Sequence, residues 1–346
     1  MVGSVADAAF PMVFDGTYHF DGILGSGGSG TVYKAWHKRL RKHVVIKDFK
    51  HGTPACEAAG RNEAEALKNV KSAWLPQLFD FYNECDCSFT VMEYIEGESF
   101  DKILSRGVMF SPPEVIKWYE QLASALQELH MQEICHRDIK PANIMLTPGG
   151  RVCLIDFNSA IIKGKDSRFI SRSRGYASPE QYELYKRVKS VMGTPEPAEP
   201  PEPAEHAGIS SNVIYIHNPP DANKTDDSTD FAATTQTDIP CGAKLQSIDW
   251  KRSDIYSLGA TMYHILTGVR PQYIQDCRIV YHDTDHSAIP GNINDAGLAA
   301  CLDIIKRSTS MNPSDRFASA AELYRTIREQ KTDLLRMDNG VENMVI

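Results

Sequence analysis

The chain has 346 residues, of which 42% are hydrophobic and 24% charged, and its formal net charge is −8. This length is sufficient for two hydrophobic cores, and the composition is close to that of ordinary soluble globular proteins. The longest apolar-rich run, Leu258 to Val269, is too short and too polar to cross a bilayer, and the first twenty residues lack a basic signal-peptide start. We therefore expect a cytoplasmic protein with no membrane segment in this chain.

Residues 25–32 form a glycine-rich segment, Gly-Ser-Gly-Gly-Ser-Gly-Thr-Val. Taken alone, this pattern could equally open a dinucleotide-binding fold, in which the third glycine begins a helix. Here residues 31–36 are β-branched and alternating, so they predict a strand instead. The glycines therefore lie in a hairpin whose backbone N–H groups can approach a phosphate chain closely.

A buried-looking strand ends at Lys47, and the helical pattern that follows carries Glu63. A lysine at the end of a strand is often only a solvated edge charge. An ion pair with Glu63 would instead hold the ammonium group rigidly against a phosphate chain. Glu65 is the rival partner, but it lies on another face of the helix. We favour Glu63 because it precedes Leu67 by four residues, on the face expected to pack inward.

The overall pattern changes from strands to helices along the chain. Strands are expected near residues 18–25, 31–37, 43–49, 78–83 and 88–94, with one helix near 56–70. Ser111 to Glu114 predicts a helix start with a serine cap, prolines in the first turn and a glutamate at the third position. Apolar residues then follow at helical spacing: Val115, Tyr119, Leu122, Leu126 and Leu129. Further helices are expected near 254–267, 296–308 and 318–329, which predicts an α+β protein with a β-rich N-terminal lobe and a mainly helical C-terminal lobe.

The segment from His136 to Asn143 contains a carboxylate, a lysine and an amide within six residues, and Asp156 follows shortly after. A phosphoryl-transfer site needs a proton acceptor, a cation for the phosphate and oxygen ligands for magnesium. Asp138, Lys140, Asn143 and Asp156 can supply all three. Any single His-Arg-Asp triplet could also be a surface turn, so the prediction depends on the rest of the chain.

One region, between about Lys186 and Gln246, does not fit a compact enzyme. From 194 to 238 the sequence has nine acidic residues against one lysine, a charge of −8, and its first part is rich in proline. Such a segment buries too little apolar surface to offset the entropy of ordering it. It is either a tolerated surface insertion or a docking or regulatory arm near the substrate site.

Eight cysteines are scattered along the chain, and only Cys85 and Cys87 are close together. A single C-x-C pair without a second pair is not a zinc site. We therefore expect reduced and mostly buried thiols.

The order of these parts resembles the eukaryotic-like (Hanks-type) serine/threonine protein kinases over roughly residues 16 to 330, and the wording is closest to bacterial members. The segments that carry the resemblance are Gly25–Val32 as the phosphate-covering loop, Lys47 as the lysine of the third strand, Val91–Ile95 as the hinge, His136–Asn143 as the catalytic loop, Asp156–Asn158 as the metal-binding turn, Ser178–Glu180 in place of Ala-Pro-Glu, Asp254–Gly259 as the start of the central helix and Arg316 as the partner of Glu180.

This resemblance implies the bilobal protein-kinase fold and transfer of the ATP γ-phosphoryl group to serine or threonine hydroxyls of proteins, including the chain itself. Asp138 is implied as the proton acceptor and Lys140 as the residue that stabilises the γ-phosphoryl group. The implied metal ligands are Asn143 and Asp156, for magnesium or alternatively manganese. The implied nucleotide-binding residues are Leu24, Gly25, Gly27, Gly28, Gly30, Val32, Lys47, Glu63, Met92, Glu93 and Ile95.

The implied organisation is an N-terminal extension (1–15), an N-lobe (16–94), a C-lobe (95–330) with the acidic insertion at about 187–247, and a C-terminal tail (331–346). Expected partners are ATP, protein substrates and a docking partner for the insertion, with no nucleic acid.

Two alternative functions are considered. Asn158 stands where the family has glycine, which favours a pseudokinase that binds nucleotide without chemistry. Asparagine nevertheless tolerates left-handed backbone better than most residues, so we prefer the enzyme. A small-molecule kinase is disfavoured by Ser178–Glu180, Asp254 and Arg316, which the family uses to build its peptide-binding half.

The resemblance also implies how the loop from Asp156 to Glu180 is ordered. Arg137 is expected to receive a phosphate carried by Ser167 or Ser171. Ser173 is expected to contact Asp138 and Lys140 instead. The alternative is a loop that is ordered without modification.

Overall fold

A computed structural model describes residues 16–27, 30–49, 54–84, 87–163, 173–191, 248–271 and 295–342. The N-terminal part is a five-stranded antiparallel sheet of spatial order β1-β2-β3-β5-β4. Its strands are β1 (Tyr18–Gly27), β2 (Gly30–His37), β3 (Lys42–Phe49), β4 (Leu78–Glu84) and β5 (Cys87–Glu93), and the helix α1 (Pro54–Leu67) lies between β3 and β4 in the chain. Five buried side chains form the core of this lobe: Ala35, Val44, Ile46, Phe89 and Val91.

The C-terminal part is mainly helical. Its helices are α2 (Phe100–Leu104), α3 (Pro112–Met131), α4 (Pro179–Val191), α5 (Trp250–Thr267), α6 (Asp295–Ser308) and α7 (Ala320–Glu342). Short strands pair beside the cleft: β6 (Glu98–Ser99), β7 (Ile134–Cys135), β8 (Ile144–Leu146), β9 (Val152–Leu154) and β10 (Ile161–Ile162). The two-lobed α+β architecture expected from the sequence is confirmed.

The helix α3 begins where its sequence predicts. Ser111 and Glu114 form the reciprocal capping box, with Glu114 accepting from the Ser111 N–H at 2.9 Å. This arrangement satisfies N–H groups that the first turn of a helix leaves unpaired. The five apolar residues predicted to face the core from this helix are all buried: Val115, Tyr119, Leu122, Leu126 and Leu129.

The helix α5 is the central element of the C-lobe because it is buried on all sides. Between Ser253 and Thr267, every residue except His264 is buried. Asp249 caps its start by accepting from the Arg252 N–H at 3.1 Å, and Gly268 ends it in the left-handed conformation that glycine adopts without strain. A helix with no solvated face is a rigid platform for whatever attaches to it.

The predicted pair between Arg316 and Glu180 is confirmed. The Arg316 side chain is fully buried, and its two terminal nitrogens donate to the two Glu180 oxygens at 2.6 and 2.9 Å. Its remaining donors bind backbone carbonyl groups of three residues: Arg252, Ser310 and Met311. Together these contacts tie the start of α4 to the first turn of α5 and to the segment between α6 and α7.

Three helical features differ from the sequence-based expectation. The helix α4 was not predicted, and it extends past residue 187, where the insertion was expected to begin. Its signal was available, because Gln181, Tyr185 and Val188 are buried at helical spacing. The short helix α2 was also not predicted. The helix α7 continues to Glu342 rather than ending near 329, since residues 330–342 contain no proline to stop it.

No helix among the described residues combines the length and the apolar character that spanning a bilayer requires. Three described cysteines, Cys135, Cys153 and Cys301, are buried free thiols. Burial raises the pKa of both Cys153 and Cys301 to about 12, so these two thiols stay protonated and unreactive at neutral pH.

Gly259 provides a test of how tightly α5 packs against α6. A Cβ atom at Gly259 would lie 2.6 Å from the Ser308 Cβ and 3.0 Å from the Thr309 Cγ2. We expect Gly259→Ala to lower the free energy of unfolding by about 1–3 kcal/mol, because the two helices would have to separate. Gly149→Ala is the matched control, since no atom lies within 4 Å of its Cβ position. Chemical denaturation measures both, and equal values for the two variants would contradict the packing described here.

Candidate active site

The site begins with a buried ion pair between the sheet and α1. The Nζ atom of Lys47 on β3 lies 3.1 Å from the Glu63 Oε1, and Glu63 is 1% exposed. Glu63 also accepts from the Thr90 hydroxyl at 2.9 Å and from the Phe157 N–H at 3.2 Å. Glu65, the rival partner, binds Lys68 at the surface instead. The predicted Lys47–Glu63 pair is therefore confirmed.

Lys47 has two more partners, both from the turn at residues 156–158. Its Nζ atom lies 2.8 Å from the Asp156 Oδ1 and 2.7 Å from the Asn158 Oδ1. Burial lowers the pKa of Lys47, but the attraction and hydrogen bonds of Asp156 and Glu63 outweigh it, so the net pKa is raised. Burial likewise opposes ionisation of Asp156, yet Lys47 holds the pKa of Asp156 below its usual value. Both groups therefore carry their charges at neutral pH.

The catalytic-loop residues converge on Asp138. The Asn143 Nδ2 donates to the backbone oxygen of Asp138 at 2.8 Å and to its Oδ2 at 3.1 Å. The Lys140 Nζ lies 3.1 Å from the same Oδ2. The Ser173 hydroxyl donates to the Asp138 Oδ1 at 2.5 Å and accepts from the Lys140 Nζ at 3.2 Å. The predicted contacts of Ser173 are thus confirmed.

The backbone of the catalytic loop is held in place by Asp254 on α5. The Asp254 carboxylate accepts from the N–H groups of His136 and Arg137, both at 2.8 Å, and lies 3.0 Å from the His130 Nε2. Arg137 has a left-handed backbone, with φ of 67°, which is uncommon for a residue other than glycine. The three polar contacts of the buried carboxylate keep this conformation in place.

The same loop is joined to the turn that holds Asp156. The Ile155 N–H donates to the backbone oxygen of Asn143 at 2.8 Å, and the His136 Nε2 lies 3.1 Å from the Ile155 oxygen. The rings of His136 and Phe157 also meet edge to face at 4.7 Å. Asn143 and Asp156 therefore lie on directly bonded segments.

The side chains of Asn143 and Asp156 suit a hard divalent cation. Both offer oxygen atoms, which magnesium and manganese prefer over nitrogen or sulfur ligands. The Asn143 Nδ2 is engaged by Asp138, so its Oδ1 is the atom left to act as a ligand. The donor set therefore fits the predicted metal.

The glycine-rich segment and Lys47 lie on neighbouring strands of the N-terminal sheet. In the β1–β2–β3 register, Gly25 pairs with Val32, and Val32 pairs with Lys47. Gly30 has φ of 153°, and a Cβ atom there would lie 1.9 Å from the Asp48 backbone oxygen, so only glycine fits. Leu24 and Gly27 lie on β1, whereas Gly28 is outside the described residues.

The predicted hinge residues Met92, Glu93 and Ile95 join the two lobes, and Met92 and Ile95 are buried. The Glu93 N–H donates to the Gln77 oxygen at 2.8 Å, so this donor is already engaged. A cavity of about 590 Å³ lies on the outer side of the hinge, between Lys34, Lys42, His43, Gln77, Phe79, Glu93, Tyr94 and Glu96. It shares only Glu93 with the predicted nucleotide site, and none of the residues around Asp138 lines it. This cavity is therefore separate from the predicted nucleotide site beside Lys47.

Arg137 is 2% exposed, and its guanidinium group lies 4.4 Å from the centre of the Trp250 ring. Burial lowers the pKa of Arg137 to about 10, which still leaves it charged at neutral pH. The predicted phosphate carriers, Ser167 and Ser171, lie outside the described residues, so the pairing with Arg137 remains a prediction.

Among the residues of this site that the sequence does not identify as contacts are Thr90, His130, Trp250 and Asn158 as a partner of Lys47. Thr90 pairs with Lys47 in the β3–β5 register, so a correct strand alignment would have found it. The contacts of the other three join segments far apart in the chain, and nothing in the local sequence indicates them.

Comparison with known proteins agrees with this geometry. A family model described as the protein kinase domain matches residues 18–191. The chain is 24% identical over 323 residues to a probable serine/threonine-protein kinase of Streptomyces coelicolor, covering 90% of this chain and 40% of that protein. It is 27% identical over 336 residues to serine/threonine-protein kinase pkn3 of Myxococcus xanthus, covering 93% and 51%. It is 26% identical over 336 residues to PknB of Mycobacterium tuberculosis, covering 93% and 43%. The chain thus spans about half or less of the length of these relatives.

The ion pair can be tested by removing its cation. Lys47→Met leaves the Glu63 carboxylate buried and unpaired with a cation, so we expect the free energy of unfolding to fall by about 3–5 kcal/mol. Lys68→Met is the matched control, because Lys68 and Glu65 form an exposed pair that contributes less than about 1 kcal/mol. Urea denaturation of both variants gives the comparison. A Lys47→Met variant as stable as Lys68→Met would show that the buried pair does not hold the lobe together.

Proposed function

The chain belongs to the protein kinase domain family, whose model covers half of it, and we propose that it transfers the ATP γ-phosphoryl group to serine or threonine hydroxyls of proteins. The observation that carries this proposal is the close approach of the Lys47 ammonium group and the Asp156 carboxylate in one cleft. Lys47, paired with Glu63, lies within 2.8 Å of Asp156. Asp156 in turn follows the residue that is hydrogen-bonded to the Asp138–Asn143 loop.

Each side chain then has a defined task in the transfer. Lys47, held by Glu63, binds the α- and β-phosphates, and the glycine-rich hairpin covers them with backbone N–H groups. Asp138 orients the acceptor hydroxyl and takes its proton, while Lys140 stabilises the γ-phosphoryl group as charge redistributes. Holding both reactants in this geometry removes much of the entropic cost of bringing them together.

Asn143 and Asp156 would hold magnesium, or manganese with the same oxygen atoms. When bound, the ion neutralises charge on the β- and γ-phosphate oxygens. Asp156 could act as a ligand without leaving Lys47, because a carboxylate has two oxygen atoms and the ammonium group engages Oδ1.

Ser173 supports the choice of an aliphatic hydroxyl as acceptor. The Ser173 hydroxyl donates to the Asp138 carboxylate and contacts Lys140. Asp138 and Lys140 therefore bind a hydroxyl group of the same chemical type as that of a serine substrate. Lys140, two residues after Asp138, is also what the family resemblance associates with serine/threonine rather than tyrosine acceptors. The names of the similar bacterial proteins agree with this proposal.

The competing proposal is a pseudokinase that binds nucleotide without transfer. Its specific support is the side chain of Asn158, which accepts a hydrogen bond from Lys47, the residue proposed to bind the phosphates. Incubation of the chain with radiolabelled ATP, magnesium and a generic basic protein separates the two functions, because only a kinase labels the protein. Labelling that is absent in the parent and present in Asn158→Gly would favour the pseudokinase.

We also propose that the acidic segment is peripheral to this activity and serves as a surface insertion or a docking arm. Its charge of −8 between 194 and 238 equals that of the whole chain, so the rest of the chain is neutral overall. We also propose an N-lobe at residues 16–94 and a C-lobe at residues 95–330, with an extension before them and a tail after them. Deletion of residues 194–238 should leave basal ATP hydrolysis and the melting temperature nearly unchanged, as measured by a coupled assay and calorimetry. A large loss of thermal stability would show that the segment packs against the body of the protein.

Asp138 is the residue to test for the chemistry. Asp138→Asn keeps the size of the side chain but removes the proton acceptor, so we expect the rate of transfer to fall at least about a hundredfold, with ATP binding nearly intact. Asp303→Asn, at an exposed position on α6, is the matched control and should leave the rate unchanged. Steady-state kinetics and ATP titration give both quantities. Retention of most activity in Asp138→Asn would exclude it as the proton acceptor.

A further inference from the structure

Asn158 makes a contact that the proposed mechanism does not use. Its Oδ1 atom is 2.7 Å from the Lys47 Nζ, the shortest of the three contacts that this ammonium group makes with side-chain oxygens. An ammonium group only donates hydrogen bonds, so the atom that faces it must be the amide oxygen. Asn158 is therefore a neutral acceptor placed beside two carboxylates.

The contacts of Lys47 equal its hydrogen-bonding capacity. An ammonium group has three N–H bonds, and Glu63, Asp156 and Asn158 supply three acceptors. The Lys47 side chain is only 10% exposed, so little water competes for these bonds. A phosphate oxygen can reach Lys47 only by replacing one of the three acceptors.

The three acceptors differ in how readily each gives up its hydrogen bond to Lys47 when a nucleotide binds. Glu63 is 1% exposed and keeps its contact with Lys47, because the Thr90 hydroxyl and the Phe157 N–H also donate hydrogen bonds to its carboxylate. Asp156 can also keep its contact with Lys47, because a carboxylate has a second oxygen with which it could bind a metal ion. Asn158 is neutral and has no other hold on this arrangement, so it is the acceptor that a phosphate oxygen replaces, and its lost contact costs free energy that the nucleotide must supply.

On this basis we propose that Asn158 is a positioning residue that competes with the nucleotide phosphates for Lys47. It holds the ammonium group in place in the nucleotide-free protein and weakens ATP binding, without taking part in phosphoryl transfer. The inference rests on the proposed function, since it requires phosphates at Lys47.

The backbone at residue 158 does not require asparagine. The described residues other than glycine that have a left-handed φ are Arg41, Glu133, Arg137 and Asp156. The turn is closed by the backbone, through the Ala160 N–H and the Phe157 oxygen at 3.0 Å. Replacement of the Asn158 side chain therefore removes the contact with Lys47 without straining the turn.

The test compares ATP with adenosine, which lacks phosphates and cannot reach Lys47. Calorimetric titration of the full chain with each ligand, in the presence of magnesium, gives Kd for the parent, Asn158→Ala and the nearly isosteric Asn158→Leu. We expect both variants to bind ATP about three- to tenfold more tightly than the parent, which corresponds to the net contribution of one typical intramolecular hydrogen bond. Adenosine should bind all three proteins equally. Asn83→Ala, at an exposed position on β4, is the matched control and should change neither Kd.

Kinetics provide the second readout. If Asn158 acts only on binding, the KM for ATP falls in both variants and kcat stays within about twofold of the parent. Unchanged or weaker ATP binding in folded variants would overturn the inference, as would an equal gain for adenosine. A parent that binds adenosine but gains nothing from the phosphates of ATP would overturn the proposed function itself. Because Ala and Leu differ in size, a folding defect confined to one of them leaves the other to decide.

Discussion

A buried ammonium group needs an oxygen for each of its N–H bonds, and this requirement at Lys47 organises the site. The oxygens come from α1 and from the turn at residues 156–158, so three separate parts of the chain meet at one nitrogen. Glu63 is itself buried and would be costly to leave without a cation. The sheet, α1 and the turn at residues 156–158 are therefore held in one arrangement by the mutual dependence of these charges.

Local interactions of the fold were predicted from the sequence because their partners are close in the chain. The capping box at Ser111 and Glu114 is specified within four residues, and the five strands follow from alternation of residue types. The choice of Glu63 over Glu65 also needed only helical periodicity, since four residues separate Glu63 from an inward-facing leucine. Ser173 was placed by family resemblance rather than by physics, and its contacts with the catalytic loop agree with that placement.

The remaining contacts depend on distances in space that local sequence does not encode. The sequence indicates Asn158 as a residue that tolerates a left-handed turn, but its backbone is not left-handed and its side chain binds Lys47 instead. The left-handed residue of that turn is Asp156. The role of Asp254 in fixing the catalytic loop could not be inferred from spacing either, because 118 residues separate it from His136. Periodicity identifies which face of an element is buried, but it does not identify which distant group lies against that face.

The anchoring of the catalytic loop by Asp254 has a consequence for the order of folding during synthesis. The loop leaves the ribosome well before α5, and the left-handed backbone of Arg137 has no carboxylate to hold it until residue 254 has emerged. The Arg316–Glu180 pair spans 136 residues and must wait longer still. The N-terminal sheet, whose strands all lie between residues 18 and 93, can form early, whereas these long-range contacts form late because closing such loops costs chain entropy. A nascent chain that stops short of α5 therefore carries Asp138, Lys140 and Asn143 in a loop whose backbone Asp254 does not yet hold.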